Sequence, residues 1–102
     1  MNELLIDLLY SLGITANYTG FYYTISAVEL AVQDPSHLIQ VTKDLYPTVA
    51  KRFHSTTSRV ERNISHAVGL AWKANPNLLR DIAGYPLLQR PCASQFLSLI
   101  HI

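Results

Sequence analysis

The stretch 54–72 has the clearest pattern of hydrophobic and polar positions in the chain. Its apolar residues recur every three or four positions and so share one face of a helix: Val60, Ile64, Ala67, Val68, Ala71 and Trp72. The other side carries basic and imidazole groups at helical spacing: Arg59, Arg62, His66 and Lys73. Ser58 and Glu61 fit a capping box, and we predict a helix over about 57–74.

The rest of the chain predicts further helices and no convincing strand. A leucine stripe indicates a first helix that ends at Gly13: Leu4, Leu5, Leu8, Leu9 and Leu12. Residues 14–19 are expected to form an extended connector, and a second helix should cover about 20–32. Asp34-Pro35 ends that helix, and shorter helices are predicted over 36–41, 42–53, 78–83 and 94–102. The fold class is therefore predicted as all-α, a compact bundle of about six helices.

Two of these helices have the arrangement of a helix-turn-helix. Because Pro47 is tolerated only in a first turn, the helix within 42–53 should begin near Tyr46, and His54-Ser55 then separates it from the long helix. In that motif the second helix lies in the major groove of DNA, with its early residues towards the bases. The expected packing residues are Val49, Ala50 and Phe53 against Val60 and Ile64. The turn lacks the glycine often found there, and a plain helical hairpin explains the pattern equally well.

Composition narrows the classes of function. With 102 residues, 49% of them hydrophobic, the chain suits one domain over 1–102 with no internal boundary. The lone Cys92 excludes a disulfide framework within the chain, and we expect it to be a small buried hydrophobic residue. The sequence has no pattern typical of a secretory signal or a membrane span, so we expect a soluble, cytoplasmic protein without a membrane partner.

The chain offers little for catalysis. No general base lies near Cys92 in the sequence, the four histidines share no metal-ligand spacing, and no glycine-rich loop could cradle a phosphate. We therefore predict no enzymatic activity, no cofactor and no metal site.

Charge is polarised along the chain although its net value is only +1. Residues 43–73 carry six lysines and arginines against two acids, a net charge of +4, whereas the rest carries two against five, a net charge of −3. Such polarisation can orient a molecule towards a polyanion. A charged helix face can also be simply solvated, so charge alone does not decide for nucleic acid.

Several motifs together resemble a known family. They include Leu45-Tyr-Pro-Thr-Val-Ala-Lys51, Thr57-Ser-Arg-Val-Glu-Arg62, Ile64, His66-Ala67 and Ala71-Trp72. Further matches are Leu12-Gly-Ile14, Gly20-Phe-Tyr-Tyr23, Gly84-Tyr85, and Pro91 with Ser94 and Phe96. Over about 5–96 the chain is similar to the C-terminal DNA-binding domain of the sporulation initiation response regulator. The resemblance implies a compact helical effector domain that binds short promoter elements.

The resemblance also implies a set of site residues. Arg59, Glu61 and Arg62 stand where the family's recognition helix meets base edges. We expect the two arginines to donate to guanine N7 and O6, and Glu61 to accept from a cytosine amino group. The expected contacts to the DNA backbone are Ser58, Lys51, Arg52, Ser65, His66 and Lys73. Ser65 replaces the family's usual arginine, which should make the salt dependence of binding shallower, and His66 could equally be a neutral hydrogen-bonding group.

The partners implied are double-stranded DNA, the sigma subunit of RNA polymerase and a head-to-tail second copy on DNA. Ala83 replaces a larger aromatic residue near the polymerase-contacting surface, which weakens the expectation of activation. The family's receiver domain lies upstream of the effector, and we expect this chain to be either a naturally stand-alone effector domain or a fragment, so no phosphorylation switch is assigned.

Two expectations compete with this simple account of the chain. Residues 97–102 resemble a translated transposase adapter, and we expect them to be a non-native tail. The competing function is a helical protein–protein interaction module that has lost DNA binding and docks through its leucine-rich first helix.

Overall fold

The structure, a computed structural model, describes residues 3–101 and contains helices and no strand within that range. The α-helices are α1 (Glu3–Ser11), α2 (Thr19–Gln33), α3 (Tyr46–Arg52), α4 (Thr57–Ala74), α5 (Pro76–Ala83) and α6 (Ala93–Ile100). A 3-10 helix, Pro35–Leu38, and a π-helical segment, Val41–Leu45, connect α2 to α3. The prediction of an all-α fold with about six helices is confirmed.

Helix-breaking residues set most of the boundaries, which explains why the predicted ones agree closely. Asp34 ends α2, and its carboxylate accepts a hydrogen bond from the Ser36 amide at 3.0 Å, which starts the 3-10 helix. Tyr46 begins α3 with Pro47 in the first turn, as predicted. The helix expected over 36–41 is a shorter 3-10 helix, and the residues of 42–53 that precede the predicted start at Tyr46 belong to the π-helical segment. The last helix ends at Ile100, and Ile102 lies outside the described residues.

The long helix α4 is the centre of the fold, since it packs against α2, α3, α5 and α6. Its buried side chains are Val60, Ile64, Ala67, Val68 and Ala71. These are five of the six residues predicted for its apolar face, and the sixth, Trp72, is half-buried against the core. Burying a valine or isoleucine side chain stabilises the fold by about 1.5–3 kcal/mol, so the apolar face fixes which side of α4 is exposed.

A close approach of backbones holds α2 against α4. A Cβ atom placed on Gly20 would lie 2.3 Å from the backbone carbonyl oxygen of Asn63 and 3.1 Å from the Cβ of Ala67. Only glycine therefore fits at this crossing. The contact lets α2, most of whose residues are buried, cover the apolar face of α4.

The first helix joins the core through part of its leucine stripe. Leu5, Leu9 and Leu12 are buried, whereas Leu4 is 80% exposed, so the prediction was wrong for Leu4. Gly13 has a φ of 86° and ends the helix with a left-handed turn. This turn brings the end of α1 against the end of α4.

The last helix also contributes to the core. Phe96, Leu97 and Ile100 are buried. The segment expected to be a non-native tail thus supplies two apolar side chains to the interior. No helix within residues 3–101 has both the length and the apolar content that a membrane crossing requires.

Candidate nucleic-acid interface

The turn between α3 and α4 has the geometry of a Schellman helix end. His54 is in the left-handed region with a φ of 52°, and its amide donates to the carbonyl of Lys51 at 3.5 Å. The Ser55 amide donates to the carbonyl of Ala50 at 2.8 Å. These two bonds satisfy carbonyls that the end of α3 would otherwise leave free. Histidine is among the non-glycine residues enriched at positive φ, which explains how the turn forms without glycine.

A threonine, not the predicted serine, caps the start of α4. The Thr56 hydroxyl oxygen accepts a hydrogen bond from the Arg59 amide at 3.2 Å, and Thr56 has extended backbone angles. The capping box predicted at Ser58 and Glu61 is therefore wrong by two residues. Four hydroxyl residues stand in a row here, at 55–58, and spacing alone could not choose among them. Since Ser58 is not used as a cap, its exposed side chain lies on the outer face of α4.

The three residues predicted to contact bases all lie on the exposed side of α4. Arg59, Glu61 and Arg62 are exposed, and none of them forms an ion pair with another residue in the described range 3–101. At 100° per residue, Arg62 points almost directly away from the buried face. Glu61 and Arg62 line a shallow concavity together with Ser58 and Ser65.

The charges on α4 are distributed unevenly about Arg62. By helical geometry, Arg59, His66 and Lys73 fall within roughly 60° on one side of it. We call this side the cationic flank. The opposite side, which we call the small-residue flank, presents Ser58, Glu61, Ser65 and Gly69 and has no basic residue of its own. Seen along its axis, the helix is basic at the centre and on one side only.

The remaining predicted backbone contacts differ in where they point. Lys51, His66 and Lys73 are exposed, and the ring of His66 packs edge-to-face on Tyr18 at 5.8 Å between centroids. The guanidinium of Arg52 instead donates to the Ser26 hydroxyl on α2 at 3.2 Å. The structure therefore does not bring Arg52 together with the residues on the outer face of α4.

The Phe53 ring likewise faces α2. It is 42% exposed, and its ring lies 5.1 Å from that of Tyr23. The sequence had placed it against Val60 and Ile64, so that part of the packing prediction was wrong. Val49 and Ala50 are buried as predicted.

Arg90 belongs to this surface and was missed by the sequence reasoning. It lies in the loop between α5 and α6, and its Nη2 donates to the backbone carbonyl of Ser65. A residue in an irregular loop has no periodicity from which its position could be predicted. The only sequence signals for its site are the small residues Ser65 and Gly69, four apart on one face of α4.

The phenol of Tyr46, at the start of α3, has a shifted pKa. Burial of the Tyr46 phenol, helped by the negative charge of Glu61, raises the pKa of Tyr46 well above its usual value. Tyr46 is therefore neutral at physiological pH.

The Cys92 thiol is exposed, so the prediction of a buried cysteine was wrong.

An exposed basic helix, held by a tightly capped turn against the preceding helix, is the arrangement expected of a helix-turn-helix DNA-binding domain. The family model described as "Sporulation initiation factor Spo0A C terminal" matches residues 5–102. The chain belongs to this family, and the resemblance inferred from its motifs is confirmed. The family comprises DNA-binding effector domains that regulate transcription in sporulation, and it is not a family of enzymes.

Proposed function

We propose that this domain binds promoter DNA sequence-specifically by inserting α4 into the major groove. The observation that carries the proposal is the position of Arg62. Its guanidinium is exposed, lies opposite the buried face and is not paired with an acid in the range 3–101. Arg59 and Glu61 flank it within the first turns of the helix, which is the part that meets bases in helix-turn-helix proteins.

The chemistry of these three side chains determines which bases they can recognise. An arginine presents a fork of N–H donors that matches the N7 and O6 acceptors of guanine, and a carboxylate accepts from the amino group of cytosine. Each such pair is worth about 1–3 kcal/mol of discrimination. We propose contacts to the DNA backbone for five residues of α3 and α4: Lys51, Ser58, Ser65, His66 and Lys73. Arg52 could join them only after leaving Ser26.

A duplex titration tests the proposal. The measurement is the Kd for a short duplex carrying the family's sporulation element and for a scrambled duplex, at two salt concentrations. Arg62→Ala should weaken binding to the element by about 5- to 150-fold, the equivalent of 1–3 kcal/mol, and should affect the scrambled duplex much less. Arg80→Ala is the matched control, because Arg80 is an exposed arginine on α5 that lies over the Trp72 ring. Equal affinity for both duplexes, unchanged by Arg62→Ala, would contradict the proposal.

The competing function, a protein-interaction module docking through the first helix, has less support. Three of the five leucines on which it depends are buried in the domain's own core. Leu4 is exposed and Leu8 is half-buried, which leaves a small apolar surface on α1.

We propose two further partners because the chain belongs to this family. One is the sigma subunit of RNA polymerase, which would meet the surface after α5, where Tyr85 is 47% and Leu88 94% exposed. The other is a second copy of the domain bound head-to-tail on adjacent DNA.

A further inference from the structure

A helix lying in the major groove has a sugar-phosphate backbone on each side. Arg62 points into the groove, and the cationic flank, with Arg59, His66 and Lys73, faces one of the two backbones. The small-residue flank faces the other backbone, and the only charge that α4 itself presents there is the carboxylate of Glu61. A second strand of phosphates beside this flank would meet no cation from α4.

The loop between α5 and α6 supplies a cation to this flank. The Arg90 guanidinium donates to the Ser65 carbonyl, and its atoms lie over Gly69. Arg90 is exposed and has no acidic partner in the range 3–101. A guanidinium has five N–H donors, so most of those on Arg90 remain available to a further acceptor.

The glycine at position 69 gives an independent reason for this arrangement. Glycine is unfavourable inside a helix, and Gly69 lies in the middle of α4 with ordinary helical geometry. A Cβ atom there would lie 2.9 Å from Nη1 of Arg90 and 3.3 Å from Cζ. Gly69 thus leaves the space that the Arg90 guanidinium occupies.

We propose that Arg90 contacts a backbone phosphate of the DNA strand that lies beside the small-residue flank of α4. The inference rests on the proposed function, because it takes α4 to be in the major groove. The hydrogen bond to Ser65 holds the side chain in place before binding, which lowers the entropic cost of the contact. The fork of donors suits phosphate oxygens. With Arg90 in place, both backbones that border the groove meet a cation.

The first test measures the salt dependence of duplex binding for Arg90→Ala. Losing one phosphate contact should lower the slope of log K against log salt by about 0.9. It should also weaken binding by about tenfold at low salt, equally for the sporulation element and for a scrambled duplex, because a phosphate contact carries no sequence information. Lys43→Ala is the control, since it removes one positive charge from an exposed position in the π-helical segment. Its slope should equal that of the unsubstituted domain.

The second test uses Gly69→Ala, which displaces the guanidinium without removing the charge. Because the close atoms belong to the end of a flexible side chain, the melting temperature should stay at or above that of the unsubstituted domain. DNA binding should weaken in the same direction as in Arg90→Ala. Combining Gly69→Ala with Arg90→Ala should weaken it no further than Arg90→Ala alone, because both act on one contact.

The outcomes separate this inference from the proposed function. If Arg62→Ala weakens binding to the element while Arg90→Ala and Gly69→Ala keep the original Kd and salt slope, the role of Arg90 is overturned and the proposed function stands. If the domain binds neither duplex, or binds both alike regardless of Arg62, both are overturned. A loss confined to the sporulation element in Arg90→Ala would also overturn a phosphate contact.

Discussion

The Cys92 thiol is exposed at the residue that precedes α6, and its sulfur lies 3.3 Å from the Ser94 hydroxyl oxygen. The buried face of α6 starts one residue later, with Ala93. The sequence predicted a buried cysteine from its residue type, but Cys92 is the N-cap of α6 and lies outside the face that this helix buries. Hydrogen bonds from the Ser94 hydroxyl and from the Gln95 amide lower the pKa of the Cys92 thiol.

The lowered pKa predicts how Cys92 reacts. Because the thiolate is the nucleophile and is favoured in the folded chain, the rate of alkylation by iodoacetamide should rise at lower pH than it does for the same cysteine in urea. Ser94→Ala removes the leading hydrogen bond and should move the midpoint of the pH–rate profile upward. Profiles with the same midpoint in the folded domain, in the Ser94→Ala variant and in urea would contradict this account.

Periodicity predicted the exposed residues of α4 well, and residues outside helices poorly. Arg59, Glu61 and Arg62 could be placed because the buried face of one long helix determines where every other position points. Arg90 could not be placed, since it reaches α4 from a loop that comes 25 residues after its acceptor, Ser65. Phe53 follows the last residue of α3, where helical spacing no longer holds, and its ring turns to α2.

At the scale of elements, the caps decide where each helix begins and ends. The capping box predicted from Ser58 and Glu61 and the cap observed at Thr56 differ by half a turn of α4. This matters for the interface, because a capping Ser58 would have its side chain engaged with the backbone. The observed cap leaves Ser58 exposed beside Arg62, where it can contact a ligand.

A pair of alanine variants checks the cap. Thr56→Ala should reduce the free energy of unfolding by about 1 kcal/mol, since it leaves the Arg59 amide without its acceptor. Ser58→Ala should change that free energy by less than about 0.5 kcal/mol, because an exposed helical position tolerates alanine. Urea denaturation followed by circular dichroism measures both. A larger loss of unfolding free energy in Ser58→Ala than in Thr56→Ala would contradict the Thr56 cap and support the capping box of Ser58 and Glu61.

The connection between α2 and α3 shows what sequence patterns cannot resolve. Asp34-Pro35 and Pro47 are strong local signals, and they set the end of α2 and the start of α3 correctly. Between them the chain forms a 3-10 helix and a π-helical segment. Each backbone hydrogen bond spans one residue fewer in a 3-10 helix, and one residue more in a π-helix, than in an α-helix. Tertiary packing selects among these forms.

At the scale of the whole molecule, the sequence predicted the number and type of helices, but not which backbones touch. The interior depends on α4 lying against α2, and that depends on the absence of a side chain at Gly20. From the sequence, Gly20 could only be interpreted as the start of a helix. Its partner, Asn63, is 43 positions away and gives no pattern that would pair the two.

Glycine-to-alanine variants at two helical positions test this view of the fold. At Gly20 the new methyl group would meet a backbone carbonyl of α4, which cannot move without shifting the helix. We expect Gly20→Ala to reduce the free energy of unfolding by about 2 kcal/mol, since overpacking exceeds the helix propensity that alanine adds. At Gly69 the three atoms nearest to the same methyl group all belong to the end of the Arg90 side chain. Gly69→Ala should therefore keep that free energy or raise it by up to about 1 kcal/mol.

The two variants have the same chemistry, and both positions are in helices, so propensity alone predicts that both gain stability. Packing predicts that Gly20→Ala lowers the free energy of unfolding, whereas Gly69→Ala keeps or raises it. If urea denaturation shows Gly20→Ala to be as stable as Gly69→Ala, then α2 and α4 do not cross at the observed distance. The buried face of α4 would then not be fixed by α2, and the outward direction of Arg62, on which the DNA-binding proposal depends, would have to be measured anew.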